Sequence, residues 1–344
     1  MAWRHFFEKR WWQAEQPHAL WAFKPFEKIF GTLSTQRALF LKAKAPLMRV
    51  PIVVVGNIVV GGVGKTPILI ALAKALRQKG LNVGVVSRGY KRQSQGVLEV
   101  LPNSCSFLSG DEPLLIAQKT SCPVFVGEKR NQAILALLEK HPHVDVILSD
   151  DGLQHYTMPR LAEWIVFDSR GLGNGLLLPR GPLREPLSRL DFAQAILLNG
   201  VKNNACWLQK LPQNVPRFHI QLKEQAFYAL NNPQEQKKAE DFLKEKHTYG
   251  AISGIGAPFR FFQTLENLGF SLCFQKSFPD HCIFQESDFE NLPCEVLFVS
   301  EKDAVKCTQF APKMHNIWVL PIQAQIPTPC IDDLVEKING FKTT

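Results

Sequence analysis

The residues best placed to do chemistry stand in Gly61-Gly-Val-Gly-Lys-Thr66, after the β-branched run 52–55 and before the apolar stretch 68–76. A strand, a glycine turn and a helix opening on Lys-Thr is how a chain cradles a polyphosphate. The glycines let backbone N–H groups converge on the anion, the lysine reaches the terminal phosphates, and the threonine hydroxyl ligates Mg²⁺. The candidate cradle is Val59, Val60, Gly61, Gly62, Val63, Gly64, Lys65 and Thr66. Val59 stands where the general G-x-x-x-x-G-K-[ST] pattern has its first glycine, and a tight turn with a chance Gly-Lys-Thr is the alternative. Downstream, an apolar run from Val144 ends in Asp150-Asp151 and has the form of a Walker B element, which sets a carboxylate beside the P-loop magnesium. Thr66, Asp150 and Asp151 are therefore the candidate metal ligands.

Other polar groups carry two readings each. Asp111, in Gly110-Asp-Glu-Pro113, is either a helix N-cap or an acid facing a ligand. Gln154 and His155 follow the acid pair and can face the same cleft, with a hydrogen-bonded structural residue as the alternative for His155. The loop 170–186 holds Arg170, Arg180 and Arg184, whose forks suit phosphate or simply meet solvent. His281 beside Asp280 is an oriented base or an ordinary loop histidine. Gly254-Ile-Gly256 lacks the third glycine of a dinucleotide fingerprint and reads as a turn.

The elements that must position these groups are strands at 52–55, 81–87, 123–127, 144–150, 164–168 and 195–198, alternating with helices. That pattern predicts an α/β chain with a mostly parallel sheet and ligands at the strand C-terminal ends. Residues 91–110 read as a surface excursion. The length of 344 residues suits two domains. The junction is expected in the polar, irregular stretch 200–247, which includes a helix-like piece at 234–246. Strands then resume at 249–253, 272–276, 295–300 and 316–320, with a helix at 258–268. The expected division is a helical segment 1–45, a P-loop domain 46–225 and a smaller α/β domain 226–344. Eight cysteines without C-x-x-C spacing form neither a disulfide framework nor a zinc site, and suit a reducing compartment.

Residues 1–50 hold nine Lys+Arg against three Glu, and four of the seven tryptophans: Trp3, Trp11, Trp12 and Trp21. Two helical pieces interrupted around Pro17 and Pro25 are expected. Phe26, Ile29, Phe30, Leu33, Phe40 and Leu41 fall within an arc of roughly 120°, the width of an apolar helix face. This is either an interfacial amphipathic helix or one packed on the following domain. No run is long enough to span a membrane, and no signal-peptide core is evident, so the cytoplasm is expected.

Val60 stands where partitioning-type switch ATPases carry a lysine that reaches a partner's nucleotide, and no Asn-Lys-x-Asp element for guanine is present. Both absences favour a small-molecule kinase. The ordered set 56–67, Ser87-Arg-Gly-Tyr90, Gly110–Pro113, Asp150-Asp-Gly-Leu-Gln-His155, Gly181-Pro-Leu-Arg-Glu185, Asp280-His281 and Glu301-Lys-Asp-Ala-Val-Lys306 closely resembles the tetraacyldisaccharide 4'-kinase family across about residues 26–325. That family also lacks a glycine at the position of Val59. Val63 departs mildly from its usual small polar residue, and Arg180 stands where a small or apolar residue is usual.

The resemblance implies two α/β/α domains, the first of P-loop NTPase type, with the nucleotide between them. It implies transfer of the ATP γ-phosphate to the 4'-hydroxyl of a tetraacyldisaccharide 1-phosphate lipid, with ATP and Mg²⁺ bound. It pairs Asp111 with His281 as the group activating the sugar hydroxyl and lines the cleft with Arg130, Arg184, Gln154 and His155. It also implies peripheral attachment to an anionic membrane, the cytoplasmic face of the bacterial inner membrane, without nucleic acid or an obligate protein partner. The alternatives carried are a membrane-associated P-loop nucleotide switch without kinase activity and a nucleic-acid-binding ATPase.

Overall fold

The computed structural model describes residues 6–7, 10–12, 18–307 and 310–342; Trp3 and Pro17 lie outside the described residues. In chain order its strands begin with β1 Ile52–Gly56, β2 Val83–Ser87, β3 Leu98–Val100, β4 Val124–Val126, β5 Val146–Asp150, β6 Ala162–Asp168, β7 Ala195–Asn199 and β8 Arg217–Glu224. They continue with β9 Phe227–Ala229, β10 Gln236–Lys237, β11 Tyr249–Ser253, β12 Leu272–Ser277, β13 Val296–Ser300, β14 Ile317–Leu320 and β15 Ile322–Gln325. The helices used below are α1 Lys24–Lys42, α2 Lys65–Gln78, α3 Asp111–Thr120, α4 Arg130–Lys140, α5 Pro258–Asn267, α6 Glu301–Ala304 and α7 Thr328–Lys342.

Two sheets organise the chain. The larger runs β15-β8-β7-β6-β1-β5-β2-β4-β3, parallel except at its edge strands β15 and β3. Its central strands β1, β2, β5 and β6 are buried at every residue, as expected for a parallel sheet covered on both faces. The smaller sheet runs β10-β9-β14-β13-β11-β12. Alternation along β13 sends Val296 and Phe298 into one cluster and Leu297 and Val299 into another, so this sheet too is packed on both sides.

Several expectations are corrected. The stretch 200–247 is not irregular: β8 lies within it, with Phe218, Ile220 and Leu222 alternating against polar neighbours. Residues 91–110 contain the edge strand β3. The piece at 234–246 is the short β10 and a five-residue turn of helix, Ala239–Leu243. Pro25 starts α1 rather than interrupting it, because proline's missing N–H is harmless in a first turn. The segment 226–344 is not one body. After β14 the chain returns, β15 pairs with β8 of the larger sheet, and α7 packs against α2.

Candidate active site

The glycine loop leaves the buried end of β1 and enters α2. Gly61 and Gly64 adopt φ of 88° and 84°, where an L side chain is strained, and Gly64 caps α2. Val59 and Val63 are buried and pin the loop to the core, while a Cβ at Gly62 would meet nothing within 4 Å. The loop is therefore anchored below and open above. Asn57 ties it together: its amide donates to the Val59 carbonyl at 2.7 Å, and its Oδ1 accepts from Lys65 Nζ at 3.0 Å.

Lys65 also pairs with Asp151 at 3.3 Å, and Arg184 reaches both Asn57 and the same Asp151 oxygen, the latter at 3.4 Å. Burial would raise the Asp151 pKa, but Lys65 and then Arg184 outweigh it and hold the carboxyl below its usual range. Asp151 has φ 47°, a strained backbone of the kind that collects at functional sites.

Asp150, at the end of β5, is 2% exposed. Its Oδ2 accepts from Ser87 Oγ at 3.1 Å, and its Oδ1 is buried with no hydrogen-bond partner. Burial first, then the carboxylates of Glu112 and Asp151, push its pKa up. An orphaned buried carboxylate oxygen is a fitting donor for a hard cation. Among the described residues no group of three or more His, Cys, Asp or Glu could hold a metal on its own. Magnesium at a phosphate site needs only one or two carboxylates beside the substrate's own phosphate oxygens. Arg130, the first residue of α4, is buried behind this pair and donates to the Gly127 carbonyl at 2.9 Å and the Asp150 carbonyl at 3.3 Å. Burial lowers its pKa to about 10, which leaves it a cation.

Asp111 is not the cap of α3. Gly110, at φ 89°, takes that position, and Asp111 becomes the first helical residue and is itself buried. There it meets His281 Nδ1 at 3.1 Å, from the loop after β12. His281 has φ 62°, its Nε2 lies 3.5 Å from Asp280, and the Tyr90 ring stands edge-on at 5.4 Å. Beside this contact Lys302 bridges Glu112 at 3.0 Å and Asp280 at 3.2 Å. Burial opposes the Lys302 charge, but those two carboxylates overcome it and raise the pKa.

The loop carrying His281 rests on a buried knot. Asp303, fully buried, accepts from Ser253, Ser300 and the Gly254 N–H and pairs with Lys306 at 2.6 Å. Lys306 in turn donates to the Gly254 carbonyl at 3.2 Å and contacts the Cys282 sulfur at 3.8 Å.

Other expected residues are turned to neighbours. Gln154 donates to Glu185 at 2.5 Å. His155 has Nε2 3.4 Å from Thr157 Oγ1, and burial, then Arg130, Arg160, Arg37 and Arg88, depress its pKa to about 4, so it is neutral near pH 7. Arg180, 7% exposed, pairs with Glu27 of α1 at 2.6 Å and donates to the Leu20 carbonyl, so it fastens the N-terminal helix. Glu112, Lys302 and Asn57 were not singled out from sequence. Each lies inside a quoted motif, but the Glu112–Lys302 pair spans 190 positions.

A glycine loop between a buried central strand and a helix, with an acid pair where the neighbouring strand ends, defines a P-loop NTPase-type fold. The family model described as LpxK, tetraacyldisaccharide-1-P 4'-kinase, matches residues 19–339. A tetraacyldisaccharide 4'-kinase of Dechloromonas aromatica (strain RCB) is 43% identical over 334 residues, 97% of each chain. That of Herminiimonas arsenicoxydans is 41% identical over 350 residues, covering 97% of this chain and 96% of the relative. Among solved structures, LpxK from Aquifex aeolicus in complex with ATP superposes with a TM-score of 0.75 at 28% identity, covering 93% of this chain and 98% of that one. The chain belongs to the tetraacyldisaccharide 4'-kinase family.

Proposed function

We propose that the chain transfers the γ-phosphate of ATP to the 4'-hydroxyl of a tetraacylated glucosamine disaccharide 1-phosphate. The observation that carries this reading is the Asp111–His281 contact, made between the two sheets beside a carboxylate set that includes Glu112 and Asp150. In this reading residues 59–66 bind the nucleotide, with the loop N–H groups and Lys65 on its phosphates. Thr66, Asp150 and Asp151 hold Mg²⁺, which supplies charge neutralisation on the phosphates. Asp111 takes the hydroxyl proton as the sugar oxygen bonds the γ-phosphorus and the bond to the leaving β-phosphate oxygen breaks. His281 orients the Asp111 carboxylate. Arg184, which reaches Asn57 and Asp151, would meet the transferring group, Arg130 would steady the Asp150 end of β5, and neutral His155 would line the catalytic cleft.

A lipid acceptor accords with α1. None of its described side chains is buried, and Phe26, Ile29, Leu33 and Phe40 are exposed while Glu27 anchors the opposite side. No described helix is long and apolar enough to cross a membrane. In the same reading α1, within the segment 1–45, lies on the anionic cytoplasmic face of the inner membrane. Residues 46–225 with the returning β15 and α7 form the kinase body, and the smaller sheet closes over it.

The test is to incubate the protein with radiolabelled ATP and the disaccharide acceptor. A doubly phosphorylated lipid is expected. Hydrolysis stimulated by DNA and indifferent to lipid overturns the assignment.

A further inference from the structure

We propose that Arg170, Asp168 and Arg260 form a positioning latch that couples the glycine loop to the approach of the smaller sheet. Asp168 ends β6 and is 1% exposed. Because β6 pairs with β1 up to Gly56–Ile165, its C-terminal end lies beside the start of the glycine loop. The Asp168 carboxylate receives Arg170 Nε on both oxygens, at 3.1 and 2.9 Å, and the Arg170 backbone N–H at 3.1 Å. Its Oδ2 also receives Arg260 Nη1 at 2.8 Å, from α5 on the smaller sheet.

The far end of the same Arg170 guanidinium donates to the Gly62 carbonyl at 2.6 Å. A Cβ at Gly61 would sit 3.1 Å from Arg170 Nη1, so the guanidinium lies directly against the loop. The Trp12 ring covers it from the other side at 4.4 Å.

One buried carboxylate thus serves two arginines, each from a different layer. Such charge-assisted pairing, with the Arg170 Nε–H shared between both carboxylate oxygens, fixes direction as well as energy. With Arg260 present, Arg170 has one orientation, and that orientation holds the Gly62 carbonyl outward from the turn. If Arg260 withdraws as the sheets separate, Asp168 is freed to follow solvent and Arg170 gains rotational freedom. The loop then loses a restraint at Gly62, where a Cβ would meet nothing within 4 Å. The latch rests on the nucleotide-site reading for its consequence, tighter phosphate binding in the closed state, but not for its mechanics.

The mechanics are tested in the ligand-free protein by amide hydrogen exchange, comparing wild type with Arg260→Ala. Loss of a charge-assisted hydrogen bond should speed exchange in peptides covering 59–64 by about tenfold, with β5 peptides unchanged. Unchanged exchange in the loop, or equal acceleration in β5, overturns the latch. In steady state, Arg260→Ala should raise KM for ATP about fivefold to tenfold at near-constant kcat, with Arg260→Lys partly restoring it. Arg170→Ala should do the same and the double variant little more; additive effects overturn the coupling. A wild-type protein that fails to bind ATP counts against the nucleotide reading, while the exchange experiment still judges the latch.

Discussion

After β1 the backbone turns through Gly61, Gly62 and Gly64 into α2, and the space above Gly62 is empty to 4 Å. After β11 it turns through Gly254 and Gly256 into α5, and the space is taken. A Cβ at Gly254 would lie 2.6 Å from the Cys282 sulfur and 3.1 Å from Lys306 Nζ, and the Gly254 N–H already donates to Asp303. Both junctions present a loop N–H where an anion can sit. In the second the protein fills that place with its own carboxylate, neutralised by its own lysine. Strand-glycine-helix geometry supplies an anion site, and what fills it decides whether the site binds a ligand or holds a loop. Here the filled junction positions the loop that carries His281.

The contrast is broken most sharply at its two charged groups. Asp303→Ala leaves Lys306 buried without its partner and is expected to cost about 3–5 kcal/mol in denaturant unfolding. Lys65→Ala should leave the unfolding midpoint near wild type and lower kcat/KM by about 10²–10³-fold, the scale of losing one electrostatic contact to the transition state. An Asp303→Ala protein as stable as wild type would erase the distinction.

Asp111→Ala should lower kcat by about 10²–10⁴-fold, the usual share of a general base, with KM for ATP little changed. Full activity of that variant removes Asp111 as the base. The glycines sharpen the same comparison at smaller amplitude. Gly254→Ala should destabilise by about 1–3 kcal/mol through overpacking. Gly62→Ala should stay within about 0.5 kcal/mol in stability, because its Cβ enters open space.

The smallest effect concerns pH. His155 has a folded pKa of about 4 against 6.5 for the free side chain. Below 6.5 the unfolded chain takes up a proton that the folded chain refuses, so this group removes stability as pH falls toward 4. His155→Asn should flatten the fall of Tm across that window, and an unchanged slope excludes the effect.

Much of this molecule was legible in its residues. The central strands of the larger sheet are continuous apolar runs that only a doubly covered parallel sheet buries, and they were read with small end errors. β8 was not, although Phe218, Ile220 and Leu222 alternate correctly, because their polar partners gave the segment the composition of a loop. Residues 322–342 belong with the larger sheet and not with the rest of 226–344, and nothing local to them says which sheet the chain returns to. Asp111 was readable as a cap or a site acid, and only the backbone of Gly110 separates the two.

Local residue order specifies the glycine loop, its lysine, the strand that feeds it and the acid pair where β5 ends, because each depends on neighbours in the chain and on backbone preferences. Packing between distant segments brings Asp111 to His281, 170 positions away, turns Arg180 to Glu27 of α1, and leaves open space at Gly62 while filling the place at Gly254. The physical reason is that such pairings are set by how two sheets stack and how the chain returns between them. Those are sums over many buried contacts that no short window of residues contains.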